Sequence, residues 1–301
     1  MKKLIDFLQP YKILLIKHRF FIKLCFMFLF IWLVLSQIDL EESIKLFSNV
    51  NYLILVPFFL YLPGLFLSTL KWEGMIKYPF WKLFRIYWMS NFFSNFLPSP
   101  IGGDAYKVVK LGPELGKTKV LTSVLLDRLS GIAGTLLLLI FLSYKILPFF
   151  YLEVKKISFI FLFIVIFLFA LIIYFFSSKL KGIVLKIKNH IKEMNLNWFR
   201  VVSISIIYPL LGSLSLWIYL LMFGYNTDYL LVTGFYLVIQ LISIVPISVN
   251  AIGVYELSLI SLLSFIGISA EASLSISLLS RFIMLIQTSI GGIFYFFNKK
   301  D

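Results

Sequence analysis

The sequence predicts an all-α protein, a polytopic bundle of transmembrane helices that forms one integral membrane domain over residues 1–301. Of its residues, 60% are hydrophobic and only 14% are charged, whereas an ordinary soluble domain carries about 25% charged residues. Apolar runs of about 20 residues, long enough to cross roughly 30 Å of hydrocarbon as a helix, recur along the chain. The short alternating segments of a transmembrane barrel are absent from the sequence, which leaves helices as the spanning elements.

Six apolar runs are predicted to be full spans, and two further runs are interrupted. The predicted spans are 21–38, 52–70, 120–143, 157–177, 201–223 and 270–297. The stretches 83–112 and 229–267 are broken near their middle by proline and glycine, from Pro98 to Gly103 and from Pro246 to Gly253. Breaks of this kind are typical of re-entrant hairpins made of two half-helices.

The basic residues predict the orientation. The formal net charge is +14, but the lysines and arginines lie between apolar runs, which argues against nucleic-acid binding. Most of them fall on one side if the N-terminus is cytoplasmic and each interrupted stretch enters and leaves on the same side, with an outside loop at 144–156. We therefore predict a multi-pass protein of the cytoplasmic (inner) cell membrane with both termini in the cytoplasm.

This orientation places the two predicted hairpins on opposite faces of the membrane. The first opens to the cytoplasm and the second to the exterior, and each is flanked by a span on either side. Residues 52–143 and 201–297 are thus predicted to form two units of opposite orientation. Inverted repeats with broken helices that meet near the midplane are a common transporter design.

The two units share a spacing between an acidic residue and an arginine. Asp104 follows the first break and Arg128 comes 24 residues later; Glu256 follows the second break and Arg281 comes 25 residues later. Arg281 lies near the middle of its predicted span, where an arginine must face protein or water. It either pairs with a buried carboxylate that locks helices together or binds a ligand, and Arg128 either snorkels to the interface or joins the same site.

Asp127 and Arg128 are neighbours in the sequence, and neighbours on a helix point about 100° apart. They cannot be each other's main partner. Each is therefore expected to pair with another residue.

The residues that open the second half-helices predict an anion site. Asp104 and Asn250 fit N-cap positions. Helix N-termini offer free N–H groups and a partial positive charge, which bind phosphate well, and an arginine fork can bind two phosphate oxygens. The residues predicted to bind a lipid phosphate are Arg128, Arg281, Gly102, Gly103, Asp104 and Gly253.

Three further charged residues are assigned to headgroup selection or ion pairing: Asp127, Glu256 and Lys107. Glu256 is either a first-turn acid that stabilises its helix or a group that selects a cationic partner. The sequence contains no nucleophile and base pair, metal-ligand cluster or nucleotide-binding motif, and Cys25 is its single cysteine. We therefore predict no catalytic residue, no metal and no cofactor.

Two other features concern the membrane surface. The segment 179–200 has the pattern of a basic amphipathic helix, which anchors to anionic headgroups or acts in gating. The 33 phenylalanines and 16 tyrosines are expected at lipid-facing and interfacial positions.

Several short motifs resemble the lysylphosphatidylglycerol synthase transmembrane region family, also called the flippase-like family. The similarity runs from the second predicted span to the last. The motifs are Phe96-Leu97-Pro98 through Gly102-Gly103-Asp104, Leu126-Asp127-Arg128-Leu129, Pro246-Ile247-Ser248, Ile252-Gly253, Glu256 and Arg281.

In that family, bifunctional members join this membrane module to a soluble aminoacyltransferase domain that lysylates phosphatidylglycerol, and the module flips the product lipid. The 301 residues contain no such soluble domain, so the resemblance implies the lipid-handling half of the function. The sequence departs from the family pattern at Lys107, where an arginine is usual, at Asn250 and Ala251, where glycines are usual, and at Tyr255, which replaces a frequent basic residue.

We expect a translocator of an anionic or aminoacyl-modified phospholipid, or of another lipid-linked phosphate, with the phosphate near Arg128 and Arg281. Its partners would be membrane phospholipids with anionic headgroups. One alternative is a membrane enzyme or subunit of the phosphatidylglycerol lysyltransferase type that uses Asp104 or Glu256 as a base. Another is an accessory scaffold for a separate lipid-modifying glycosyl- or aminoacyltransferase.

Overall fold

The computed structural model describes residues 45–96, 102–153, 196–245 and 248–297, with residues 28, 29, 32 and 41 before them. All regular secondary structure in these ranges is helical, which confirms the all-α fold class. The predicted spans at 21–38 and 157–177 and most of the amphipathic segment 179–200 lie outside the described residues.

The described ranges contain eight α-helices, here numbered in chain order. They are α1 (Leu55–Ile76), α2 (Phe80–Phe96), α3 (Gly102–Leu115), α4 (Lys117–Glu153), α5 (Trp198–Met222), α6 (Tyr229–Ile244), α7 (Val254–Ser264) and α8 (Ala270–Phe297). Short 3-10 turns occur at Leu46–Asn49, Tyr52–Ile54 and Val249–Ala251.

Four of these helices are long and apolar enough to cross a membrane. They are α1 with the turn before it, α4, α5 and α8. They confirm the helices predicted at 52–70, 120–143, 201–223 and 270–297.

Two predicted boundaries were wrong. Helix α1 continues to Ile76, so Lys71, predicted to lie in a cytoplasmic loop, is a buried residue inside the helix. Helix α4 continues to Glu153, so the loop predicted at 144–156 is helical up to that residue. In both places a charged residue suggested a loop, but the charge is paired with a carboxylate of another segment: Lys71 with Asp127 and Lys145 with Asp228.

The other four helices are short and follow one another in pairs. Helices α2 and α3 have 17 and 14 residues, and α6 and α7 have 16 and 11. At 1.5 Å per residue, even the longest extends only about 25 Å, less than the hydrocarbon core of a bilayer. Within each pair the two helices pack against each other. Residues 97–101, which join the first pair, and residues 246–247 of the connection in the second pair lie outside the described residues.

The first four helices contact the last four through a regular set of pairings. Helix α1 packs along α5, α2 packs along α8, and α4 packs along α6. Glycines permit two close approaches: Gly291 of α8 lies against the backbone at Trp88 of α2, and Gly134 of α4 lies against the backbone at Ser205 of α5.

The buried apolar side chains form two clusters. One lies among α1, α2, α3, α4 and the start of α5 and includes Trp72, Met75, Leu83 and Val124. The other lies among α4, α5, α6, α7 and α8 and includes Leu220, Phe235, Leu259 and Ile276. Large apolar side chains also cover the outside of the bundle, among them Ile140, Phe141, Phe282 and Ile293. A bilayer would solvate such a surface, whereas water would not.

Candidate functional site

The first acid and arginine pair joins the short helix α3 to the long helix α4. Asp104 is in the first turn of α3 and is buried, and its Oδ2 accepts a hydrogen bond from Nε of Arg128 at 2.9 Å. The Arg128 side chain is about half exposed, at 53%. Asp104 is thus the third residue of the helix that starts at Gly102, so its prediction as an N-cap was wrong.

The second pair has the same relation to α7 and α8. Glu256 is in the first turn of α7, and its carboxylate accepts hydrogen bonds from Nε and Nη2 of Arg281, the latter at 3.3 Å. The similar spacings of 24 and 25 residues in the sequence therefore correspond to two ion pairs of the same kind. In each of them a carboxylate at the start of a short helix holds an arginine of the helix that follows.

Backbone groups complete the second pair. Glu256 Oε2 accepts the N–H of Gly253 at 2.6 Å, and Arg281 Nη2 donates to the carbonyl of Ala251 at 3.0 Å. Asn250, Ala251 and Gly253 have φ values of 49°, 54° and 82°, and this left-handed backbone turns the carbonyls toward the guanidinium. Gly253 occupies the N-cap position of α7, so the prediction of Asn250 as the cap was wrong. Glu256 is thus a first-turn acid that also pairs with Arg281, and its role in selecting a cationic partner stays a prediction.

Gly103 has a packing role in this structure. Gly102 and Gly103 are both buried in the first turn of α3, and a Cβ at Gly103 would collide with the backbone carbonyl of Ser90 and the hydroxyl of Ser94 in α2. Gly103 therefore allows α3 to lie directly against α2.

Asp127 has a partner that the sequence did not suggest. Lys71 Nζ of α1 lies 2.9 Å from Asp127 Oδ1, and the same ammonium donates to the carbonyl of Asp127 at 3.2 Å. Tyr87 donates a hydrogen bond to the other carboxylate oxygen at 3.1 Å. The prediction that Asp127 and Arg128 each pair with another residue, and not with each other, is confirmed. Lys71 was missed because it directly precedes Trp72 at the end of an apolar run, which is typical of an interfacial lysine.

Lys107 lies beside this ion pair, in an aromatic enclosure. Its side chain is 3% exposed, and its Nζ lies 3.5 Å from the ring centre of Tyr87 and 4.8 Å from that of Trp72. Asp104 and Asp127 are within 3.9 and 4.0 Å. Lys107 thus lies between the two carboxylates and has an ion-pairing role. It does not line the cavity of the bundle.

A cavity of about 400 Å³ opens inside the bundle. Residues of α1, α2, α5, α6, α7, α8 and the turn before α7 line it. Of the residues predicted for the site, Arg281 lines the cavity, whereas Arg128, Asp127, Lys107, Asp104 and Glu256 do not. Of the two arginines predicted to act together, only Arg281 therefore lines the cavity, while the side chain of Arg128 is half exposed.

Tyrosines form much of the cavity wall, which the sequence did not predict. The six are Tyr61, Tyr87, Tyr208, Tyr219, Tyr236 and Tyr255. Tyr87 connects this wall to the buried charges because its hydroxyl donates to Asp127. The described residues contain no group of three histidine, cysteine or acidic side chains placed to hold a metal ion.

Comparison with protein families matches residues 20–292 to the family described as the lysylphosphatidylglycerol synthase TM region. Comparisons with curated proteins and with solved structures give no significant match. The family match covers most of the 301 residues and confirms the resemblance carried by the sequence motifs. The chain belongs to the lysylphosphatidylglycerol synthase TM region family.

Proposed function

We propose that this protein translocates a lipid with a phosphate-containing headgroup between the two leaflets of the membrane. The observation that carries the proposal is Arg281. It lies in the long apolar helix α8, and its guanidinium borders a cavity within the bundle. Burying an arginine in the apolar interior of a membrane is costly, so a cavity that offers hydroxyl and amide side chains beside it is the arrangement expected of a path for a charged headgroup.

Arg281 has hydrogen-bonding capacity for a ligand. Nε and Nη2 are engaged by Glu256 and by the carbonyl of Ala251, whereas Nη1 makes only a long contact of 3.5 Å to the carbonyl of Asn250. A phosphate oxygen in the cavity would take the Nη1 donors. Glu256 would meanwhile hold the guanidinium in place.

The proposal includes two re-entrant hairpins of opposite orientation, α2 with α3 and α6 with α7. Their support is the length of the four helices, each too short to span, and the interruption in each pair. The packing between the first four and the last four helices gives further support. Helix α2 packs along α8 of the other half, and the corresponding helix α6 packs along α4 of the other half. Such an arrangement is the one expected of an inverted repeat.

Movement of one half against the other would expose the site to each leaflet in turn. Arg128 and Arg281 occupy corresponding positions after the two short helices. In the present conformation Arg281 borders the cavity, while Arg128 is half exposed. In the conformation that exposes the site to the other leaflet, we expect Arg128 to border the cavity and Arg281 to be half exposed.

The proposal is tested by measuring translocation of a fluorescently labelled phospholipid in proteoliposomes. Arg281→Ala should reduce the rate to that of protein-free liposomes. The matched control is Arg85→Ala, because Arg85 is an exposed arginine of α2 that does not line the cavity. Equal rates for wild type and Arg281→Ala, with both proteins monodisperse, would remove Arg281 from the mechanism.

A further inference from the structure

The cavity wall is rich in hydroxyl and amide groups but carries a single charge. Besides the six tyrosines, it includes the serines Ser68, Ser215, Ser243 and Ser280 and the amides Asn91, Asn250 and Gln287. Among the described residues that line it, Arg281 is the one charged side chain, and none of them is a carboxylate. The wall therefore suits hydrogen bonding to neutral groups more than pairing with a cation.

Several of these groups have unused hydrogen-bonding capacity. The Ser243 hydroxyl is buried and has no partner, and the hydroxyls of Tyr208 and Tyr236 make no hydrogen bond to another described residue. Gln287 donates from its amide nitrogen to the carbonyls of Pro57 and Phe58, which leaves its side-chain oxygen as an acceptor. Unpaired polar groups inside a protein are costly, so their concentration around one cavity points to a ligand that brings its own hydroxyls.

Glycines create the space into which two of the tyrosines reach. A Cβ at Gly212 of α5 would collide with the Tyr236 hydroxyl, and Gly64 of α1 lies under the ring of Tyr208. Both tyrosines thus cross between helices to border the cavity. Their positions depend on small residues in the opposite wall.

The charge of the wall disfavours an ammonium group. Glu256 neutralises Arg281 from outside the lining, so an entering cation would meet a guanidinium and no carboxylate. A buried cation without a partner is strongly unfavourable. A glycerol or sugar headgroup, in contrast, offers hydroxyls to the tyrosines, serines and amides and C–H faces to the aromatic rings.

The size of the cavity is sufficient for a lipid headgroup. Its volume of about 400 Å³ lies at the lower end of the range of roughly 300–1,000 Å³ that is usual for small-ligand sites. A glycerol or a single hexose fits within such a space. The proposal places the acyl chains in the lipid outside the bundle.

We propose that the cavity binds a lipid headgroup whose terminal part is an uncharged polyol, glycerol or sugar, and that it discriminates against headgroups carrying an amino group. This inference rests on the proposed translocation and names the substrate class. It excludes the aminoacylated lipid that the family description suggests.

Four lipids test the inference: phosphatidylglycerol, a glucosyl diacylglycerol, phosphatidylethanolamine and lysylphosphatidylglycerol, each with the same labelled acyl chain. Retention of each lipid by the purified protein is measured by native mass spectrometry, and translocation is measured in proteoliposomes. We expect retention of the polyol lipids about tenfold above that of the two amino lipids. Retention of phosphatidylglycerol but not of the glucosyl lipid would show that the phosphate is required. Retention of both polyol lipids would show that the hydroxyls suffice.

Equal retention of all four lipids, or preference for an amino lipid, would overturn the inference. The two readouts separate it from the proposed function. If no lipid moves faster than in protein-free liposomes, the translocator proposal fails. The relative retention of the four lipids would still test the headgroup preference of the cavity.

Variants identify the groups responsible. Tyr236→Phe and Ser243→Ala each remove one hydroxyl from the wall and should reduce retention of the polyol lipid about threefold to tenfold, as expected for one lost hydrogen bond. Tyr144→Phe is the matched control, because Tyr144 is exposed on α4 and does not line the cavity. Unchanged retention in both cavity variants would place the headgroup elsewhere.

Discussion

Lys71 and Asp127 form an ion pair in the interior of the bundle, with Nζ and Oδ1 2.9 Å apart. The Lys71 ammonium also lies 3.5 Å from the Ser205 hydroxyl, so one side chain of α1 contacts both α4 and α5. Three cations, Lys71, Lys107 and Arg128, here surround two carboxylates, Asp104 and Asp127. Counted over these five described residues, the cluster carries one excess positive charge.

This balance predicts unequal effects of removing the two partners. Asp127→Asn leaves the cluster with two excess positive charges and should lower the free energy of unfolding by about 3–5 kcal/mol. Lys71→Met makes the cluster neutral and should cost less. Denaturant titration in detergent micelles measures both, with Lys110→Met, at an exposed residue of α3, expected within about 0.5 kcal/mol of wild type. A larger loss for Lys71→Met than for Asp127→Asn would contradict this account.

The pair of Glu256 and Arg281 predicts a difference between stability and transport. Glu256→Gln keeps an oxygen for the Gly253 N–H but leaves Arg281 without a carboxylate, and should cost about 3 kcal/mol. The double variant Glu256→Gln/Arg281→Gln removes both charges and should recover more than half of that stability. Lipid translocation should remain lost in the double variant, and its recovery there would show that the pair is only structural.

The contact of α8 with α2 predicts a steric effect at Gly291. A methyl group at this position would collide with the backbone carbonyl of Trp88, so Gly291→Ala should destabilise the protein by about 1–3 kcal/mol. The matched control is Gly131→Ala, because the nearest atom to a Cβ there is Lys71 Nζ at 4.0 Å. Thermal unfolding of the two variants should separate them clearly, and equal melting temperatures would contradict the tight α2 and α8 packing.

The proposed opposite orientation of the two hairpins predicts a labelling pattern. Starting from Cys25→Ser, single cysteines are placed at four exposed sites on either side of each short-helix pair. These substitutions are Lys82→Cys, Thr118→Cys, Asn226→Cys and Ser264→Cys. A membrane-impermeant thiol reagent applied to intact cells should label only the last two. If the two flanks of either pair are labelled from different sides, that pair is a crossing and the shared site of two hairpins is lost.

An ion pair near one end of the bundle predicts a small effect of acid on stability. Lys145 donates a hydrogen bond to Asp228, and this bond, assisted by the backbone N–H groups of Leu230 and Leu231, holds the pKa of Asp228 below its ordinary value. A carboxyl group with a lowered pKa in the folded state stabilises the protein above its unfolded-state pKa. That stabilisation is lost as the pH falls through the folded value.

The wild-type melting temperature should therefore fall more between about pH 7 and about pH 3 than that of Asp228→Asn, which keeps the helix cap but not the charge. The difference should be small and should shrink in high salt, because both side chains are substantially exposed. Identical acid sensitivity of the two proteins would remove this pair from the stability of the fold.

The helices of the fold could be predicted from the sequence. The apolar runs predict α1, α4, α5 and α8, because in lipid a helix forms all the hydrogen bonds of its own backbone. The prolines and glycines predict where the two interrupted stretches break. The repeated spacing from Asp104 to Arg128 and from Glu256 to Arg281 also followed from the sequence. In each case a carboxylate in the first turn of a short helix pairs with an arginine of the next helix along the chain.

The contacts between side chains of different helices could be seen only in the tertiary structure. Lys71 pairs with Asp127 because α1 packs against α4 and α5, and nothing in the local sequence distinguishes it from an interfacial lysine. Six tyrosines face a cavity and not lipid because helices of both halves bring them together. Hydropathy and periodicity report the environment along one helix, whereas contacts between helices depend on crossing geometry and on small residues such as Gly64 and Gly212.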